Sequence, residues 1–156
     1  MAAPKPLKRH LALQPLSRDH HHGLLLCWKI RSGLAKNVAV ERVKAYVDWV
    51  FAEQLLPHFD VEERHVFPLL GDSGHPFVKR ALREHRRLKR LLADAPDRLD
   101  RRLNQFEELL AAHIRFEERV LFNELQAVAT PAQLAEIQIL HPAQGLEEKW
   151  DDTFWK

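Results

Sequence analysis

The chain has 156 residues, enough for one domain with a real core and too few for two ordinary ones. Hydrophobic residues make up 46% and charged residues 29%, which excludes a disordered or collagen-like chain. A formal net charge of +2 is too small to mark a nucleic-acid binder, and 25 leucines and 17 alanines against 16 valines, isoleucines and threonines together favour an all-α domain.

Residues 1–15 hold Pro4, Pro6 and Pro15 and read as an irregular arm, with Ser17 placed to cap the first helix. That helix is predicted from Arg18 to about Lys36, where Leu24, Cys27 and Leu34 recur on one face, and a second from about Ala39 to Leu70. Pro57 removes a backbone donor and predicts a kink just before His58, and Gly71-Asp72-Ser73-Gly74 stops the helix. A third helix runs from about Pro76 to Ala95, Pro96 and Asp97 punctuate, and a fourth runs from about Arg98 to Ala127. Thr130-Pro131 opens a shorter fifth element ending near His141-Pro142. The tail from Gln144 carries Trp150, Phe154 and Trp155, which are expected to pack on the body. The predicted architecture is an antiparallel up-down four-helix bundle over 16–127, followed by a short helix and aromatic tail over 128–156.

Met1 to Pro15 has no apolar run long enough for a signal peptide, and no later stretch approaches a membrane span. The single cysteine, Cys27, forms no intramolecular disulfide and reads as a small core residue, so cytoplasm is the expected location.

Ten histidines are the unusual count, and an internal repeat organises them. HFDVEERHVFPLL from His58 to Leu70 aligns without gaps with HIRFEERVLFNEL from His113 to Leu125. Upstream, Arg18-Asp19-His20 matches Arg83-Glu84-His85, so the chain reads as two helical hairpins. Each contributes one histidine on its first helix and a His-x-x-x-Glu pair on its second. Residues four apart lie on one helix face, so His58 with Glu62 and His113 with Glu117 can each aim two ligands at one point. Folding the hairpins back brings His20 and His85 to the same height. Four imidazoles with two carboxylates able to bridge suit a pair of iron or manganese ions better than structural zinc, which favours thiolates. His20 is selected over His21 by the face it shares with Leu24 and Cys27, with His21 the alternative.

On these residues the sequence resembles the hemerythrin-like, or HHE cation-binding, family over roughly 16–127. The resemblance implies a non-haem di-iron centre with an oxo or hydroxo bridge, Glu62 and Glu117 bridging and His20, His58, His85 and His113 completing the coordination; manganese or zinc are alternatives. It implies a protein that binds or senses a small diatomic ligand, oxygen or nitric oxide, or that handles iron. The oxygen-carrying branch has a further histidine where this chain has Lys89 and an aspartate where it has Glu118, so the pattern is closer to repair proteins and sensors. Repair proteins of the family often carry an additional segment with paired cysteines, which this sequence does not contain.

His65, seven residues after His58, is a candidate further ligand or hydrogen-bond partner, although its repeat counterpart is Val120. Phe51, Phe106 and Phe116 are expected to wall the bundle, and Glu63, Arg64, Glu118 and Arg119 to form pairs off the ligand face. Residues 79–102 are rich in lysine and arginine, which reads first as a solvated helical face; its field could also dock an acidic protein partner or, with no base-reading motif to support it, nucleic acid. The rival functions are a di-iron oxidase, peroxidase or iron-centre repair activity, and a metal-free helical module that uses this basic face.

Overall fold

The first long helix begins earlier than a Ser17 cap predicts. In the computed structural model, which describes residues 8–71, 74–93, 97–140 and 150–156, a 3-10 turn at Leu11–Leu13 leads directly into α1 (Gln14–Ala35). Pro15 lies in the first turn of α1, where its missing N–H costs no helical hydrogen bond and its fixed φ suits the helix. Ser17 therefore sits inside the helix and its hydroxyl donates to Glu118 instead of capping. His10 caps the 3-10 turn, its Nδ1 accepting from the Ala12 N–H at 3.0 Å.

The second rod, α2, spans 40–70 and changes its winding along the way. It comprises Val40–Val50, a π turn at Phe51–Leu55, Leu56–Val61, a second π turn at Glu62–Val66 and a 3-10 turn at Phe67–Leu70. Pro57 stands in the first turn after the π turn, so its missing donor falls where the regular ladder is already interrupted and the rod continues. α3 (Pro76–Leu92) is entered through His75, whose Nδ1 accepts from the Phe77 N–H at 3.1 Å. α4 spans 99–128 as Leu99–Phe116, a π turn at Glu117–Leu121 and Phe122–Val128. The π turns at Glu62 and Glu117 occupy the same place in the two copies of the repeat. α5 (Pro131–Leu140) starts at a reciprocal Thr130–Gln133 capping pair, and its expected end at His141-Pro142 lies outside the described residues.

The described regular structure is thus entirely helical. Neighbouring rods run in opposite directions where contacts fix their sense. Ser17, His20 and Arg31 of α1 meet Glu118, Glu117 and Glu107 of α4, while Lys29 and His20 meet Tyr46 and His58 of α2. Arg80, Glu84 and Ala93 likewise meet Phe116, His113 and Arg102.

The apolar interior forms two clusters, and their boundary is what positions the site. One holds Leu26, Ile30, Val47, Phe59, Leu88, Phe106, Leu110 and Ile114; the other holds Leu13, Leu16, Val66, Phe67, Ala81, Phe116, Leu121 and Phe122. Near the passage between the clusters each rod buries one histidine, His20, His58, His85 or His113, joined on α2 and α4 by buried Glu62 and Glu117. A polar layer is thereby sealed between two dry ones. Leu134 and Ile137 of α5 close the second cluster. Phe154 is buried in the first, beside partly buried Trp150 and Trp155, and the Trp155 carbonyl accepts from Ser32 and Lys36. No helix among the described residues is long and apolar enough to cross a membrane.

Candidate metal centre

Each histidine of the polar layer is placed by its own rod, and all four turn Nε2 inward. His20 Nε2 lies 3.2 Å from His58 Nε2, and His85 Nε2 lies 3.1 Å from His113 Nε2. Two nitrogens bound to one metal at about 2.1 Å and subtending somewhat more than a right angle would be about 3.1 Å apart, so both pairs have the spacing of donors on a shared cation. Between the pairs lie Glu62 and Glu117, both fully buried. Glu62 Oε1 is 3.3 Å from the Nε2 atoms of His58 and His85, and Glu117 Oε1 is 3.0 Å from that of His20 and 3.1 Å from that of His113. Two donor sets result: His20, His58, Glu62 and Glu117, and Glu62, His85, His113 and Glu117, each with its ligand atoms within 4.8 Å of one another.

These six residues are the ones whose spacing singled them out, and the fold brings them together. His20 is buried in the layer, whereas its neighbour His21 is exposed. His65 is a correction: it is exposed and lies outside both donor sets. His65 lies within the π turn at Glu62–Val66, whose wider winding departs from the unbroken α-helix in which His65 would share a face with His58.

The donor set fits a metal on independent grounds. Both oxygens of Glu62 and Oε2 of Glu117 are buried without a hydrogen-bond partner among the described residues, a costly state for carboxylates unless a cation satisfies them. Burial alone would lower the histidine pKa values, but the carboxylates outweigh it. His58 and His113 are both driven up by the charge of their helical partner glutamates, His113 to about 10, and His20 and His85 are raised by the nearness of Glu117 and Glu62. Glu117 is held well below the usual carboxylate range, burial being overcome by the charge of His113 and hydrogen bonds to its neighbours. Without a metal, therefore, the layer balances itself by keeping imidazoles protonated.

A second ring of carboxylates faces the outer Nδ1 atoms. Asp19 is 2.9 Å from His58, Glu63 is 2.8 Å from His85 and Glu84 is 2.9 Å from His113, while Glu118 stands 3.7 Å from His20. Such partners fix the tautomer and aim of a metal-bound imidazole. Asp19 and Glu84 serve the second helix of their own hairpin; Glu63 and Glu118 face the first helix of the other. Glu63 and Glu118 were expected to pair off the ligand face, and Arg64 forms a surface pair with Asp60. The roles of Asp19 and Glu84 were missed, although the repeated Arg-acid-His triplet carried the signal.

A small cavity of about 20 Å³ abuts the first donor set. Val50, Leu55, Phe59, Leu110 and Ile114 wall it, with Gly23 and Gln54, and Asp19, His20, His58 and His113 at its polar side. It exceeds the roughly 10–15 Å³ that one water requires, and has little room beyond that. Cys27 is buried away from both sets, its thiol donating to the Glu107 carbonyl at 3.3 Å. Phe106 and Phe116 are buried and Phe51 partly so, as bundle walls.

Comparison with curated proteins and with solved structures gave no match. The family model of the hemerythrin HHE cation binding domain matches residues 11–125, a span that contains every residue of both donor sets. By that match, and with a buried layer of histidines and glutamates arranged to receive cations, the chain belongs to the hemerythrin HHE cation-binding domain family.

Proposed function

We propose that the two donor sets hold two iron ions, shared through Glu62 and Glu117, and that the chain binds or senses a small ligand such as oxygen or nitric oxide at the ion beside the cavity. The observation that carries this reading is the pairing of a His2Glu2 set with an adjoining cavity of about 20 Å³, sized for one small molecule. A bound iron pair supplies reversible electron exchange and an open coordination position. The protein supplies the rest. Asp19, Glu63 and Glu84 orient the imidazoles, and Val50, Leu55, Phe59, Leu110 and Ile114 keep bulk water from the approach. Gln54 offers an uncharged amide to the cavity.

The test is metal content of protein purified without a histidine tag, together with its visible spectrum and its response to nitric oxide after anaerobic reduction. Two irons per chain and a spectral change with nitric oxide support the reading; no iron after anaerobic reconstitution overturns it. Continuous consumption of oxygen or peroxide by the same centre would favour the oxidase or peroxidase alternative. A separate observation favours an acidic protein partner on the basic face. Arg83, Arg87 and Arg90 are exposed along one side of α3 and line a groove of about 510 Å³ with Gln105 and Glu108 of α4.

A further inference from the structure

His20 is the exception among the four histidines. Its Nδ1 is buried with no hydrogen-bond partner, whereas the other three have a carboxylate at 2.8–2.9 Å. The carboxylate that faces it, Glu118, is engaged elsewhere. Its Oε2 accepts from the Ser17 hydroxyl at 2.9 Å, lies 3.6 Å from Arg9 Nη2, and stands 3.7 Å from His20 Nδ1, near enough for attraction but beyond a hydrogen bond. Arg9 is itself fixed, donating to the Glu118 carbonyl at 2.6 Å and to Gln126 Oε1 at 2.7 Å, with Phe122 beneath its guanidinium. Phe122 also stacks on the His20 ring at 5.3 Å, so the imidazole is held by a hydrophobic face rather than by an acceptor.

The repeat supplies an internal control. Glu63 is the counterpart of Glu118, and it reaches His85 at 2.8 Å. The counterpart of Ser17, three residues before the histidine, is Leu82, which has no hydroxyl to compete for that carboxylate.

We infer that Ser17 and Arg9 are positioning residues that hold Glu118 away from His20 and so make the two metal subsites unequal, the His20–His58 subsite being the weaker. This rests on the two-metal reading above. An imidazole without its outer carboxylate is a poorer and less firmly aimed donor, and loss of such a partner typically lowers metal affinity by about 10–100-fold. Both histidines of the weaker subsite line the small cavity, with His113 the one ligand there from the other. The N-terminal segment thus sets the inequality from outside the donor sets, through contacts that touch no ligand except by way of Glu118.

The experiment is an anaerobic titration of the full, metal-stripped chain with cobalt(II), followed by calorimetry and visible absorbance. Wild type is expected to fill in two steps separated by about 10–100-fold. Glu118→Gln leaves both steps within about twofold, because Glu118 is not the imidazole's acceptor, whereas Glu84→Gln weakens the tighter step by about tenfold or more. Ser17→Ala, alone and with Arg9→Gln, frees Glu118 and tightens only the weaker step, and Ser17→Thr, which keeps the hydroxyl, preserves the wild-type separation. Equal affinities in wild type, a Glu118→Gln loss as large as that of Glu84→Gln, or no tightening in either Ser17→Ala variant would overturn the inference. No cobalt binding in any variant would instead sink the two-metal reading itself.

Discussion

Loading the centre should expel protons, and the number follows from the metal-free state. Carboxylates raise the imidazole pKa values of His20, His58, His85 and His113 above the ordinary 6.5, and that of His113 to about 10, so at pH 7 His113 at least carries a proton that a metal must displace. Glu117, held well below the ordinary 4.5, is already ionised and contributes none. Loading near neutrality therefore releases at least the proton of His113, and more to the extent that the other raised imidazoles are protonated. Each proton released makes apparent metal affinity rise about tenfold per pH unit. The assay is calorimetric titration with zinc(II) at pH 7 in buffers of differing ionisation enthalpy, the slope giving the protons released. Clearly fewer than one proton released at pH 7 would refute the picture of a layer neutralised by imidazolium.

In the metal-free protein, stability contributed by the raised histidines is complete below about pH 6.5 and drains away as pH rises toward 10, while that from Glu117 is lost as pH falls below 4.5; thermal melts should show a falling Tm from pH 6.5 to pH 10 that metal loading removes. Glu62→Ala and Glu117→Ala should each weaken both metals, whereas His85→Ala should weaken chiefly one, as metal-to-protein ratios after dialysis would show; loss of a single metal in Glu62→Ala would contradict the shared role. A methyl added at Gly33 would lie 2.8 Å from the Phe154 ring and 3.0 Å from Val43, so Gly33→Ala should cost about 1–3 kcal/mol in urea unfolding and alter tryptophan fluorescence as the tail shifts. Burial pushes the Cys27 thiol up to about 12, so iodoacetamide should leave it unmodified in the native protein at pH 8 and label it after unfolding.

The inner layer was legible because it obeys a local rule. His58 with Glu62 and His113 with Glu117 sit one helical turn apart, and the repeat showed that neither pair was accidental. The outer carboxylates were harder to read. Asp19 and Glu84 each precede an inner histidine by one residue, which turns them about 100° around the rod toward a neighbouring helix that only tertiary packing identifies. His65 failed for a related reason, since a helical phase extrapolated over seven residues assumes a regular winding that the π turn at Glu62–Val66 does not keep. The start of α1 was misplaced because Pro15 was read as ending the arm when it opens the helix. Nothing local reveals the fate of Glu118, because Arg9 and Ser17 reach it from more than a hundred positions away in the chain.

The exchange of outer carboxylates between the hairpins bears on how the centre comes into being. Within one hairpin, only the histidine of the second helix meets an acid from its own half: His58 meets Asp19, and His113 meets Glu84. His85 depends on Glu63 across the chain's midpoint, and each donor set borrows one glutamate from the opposite half. Neither half can therefore assemble a complete site before the other has folded against it. Metal capture would then be a late event in folding, and under the two-metal proposal the bound ions would act as a clasp between the two halves of the repeat.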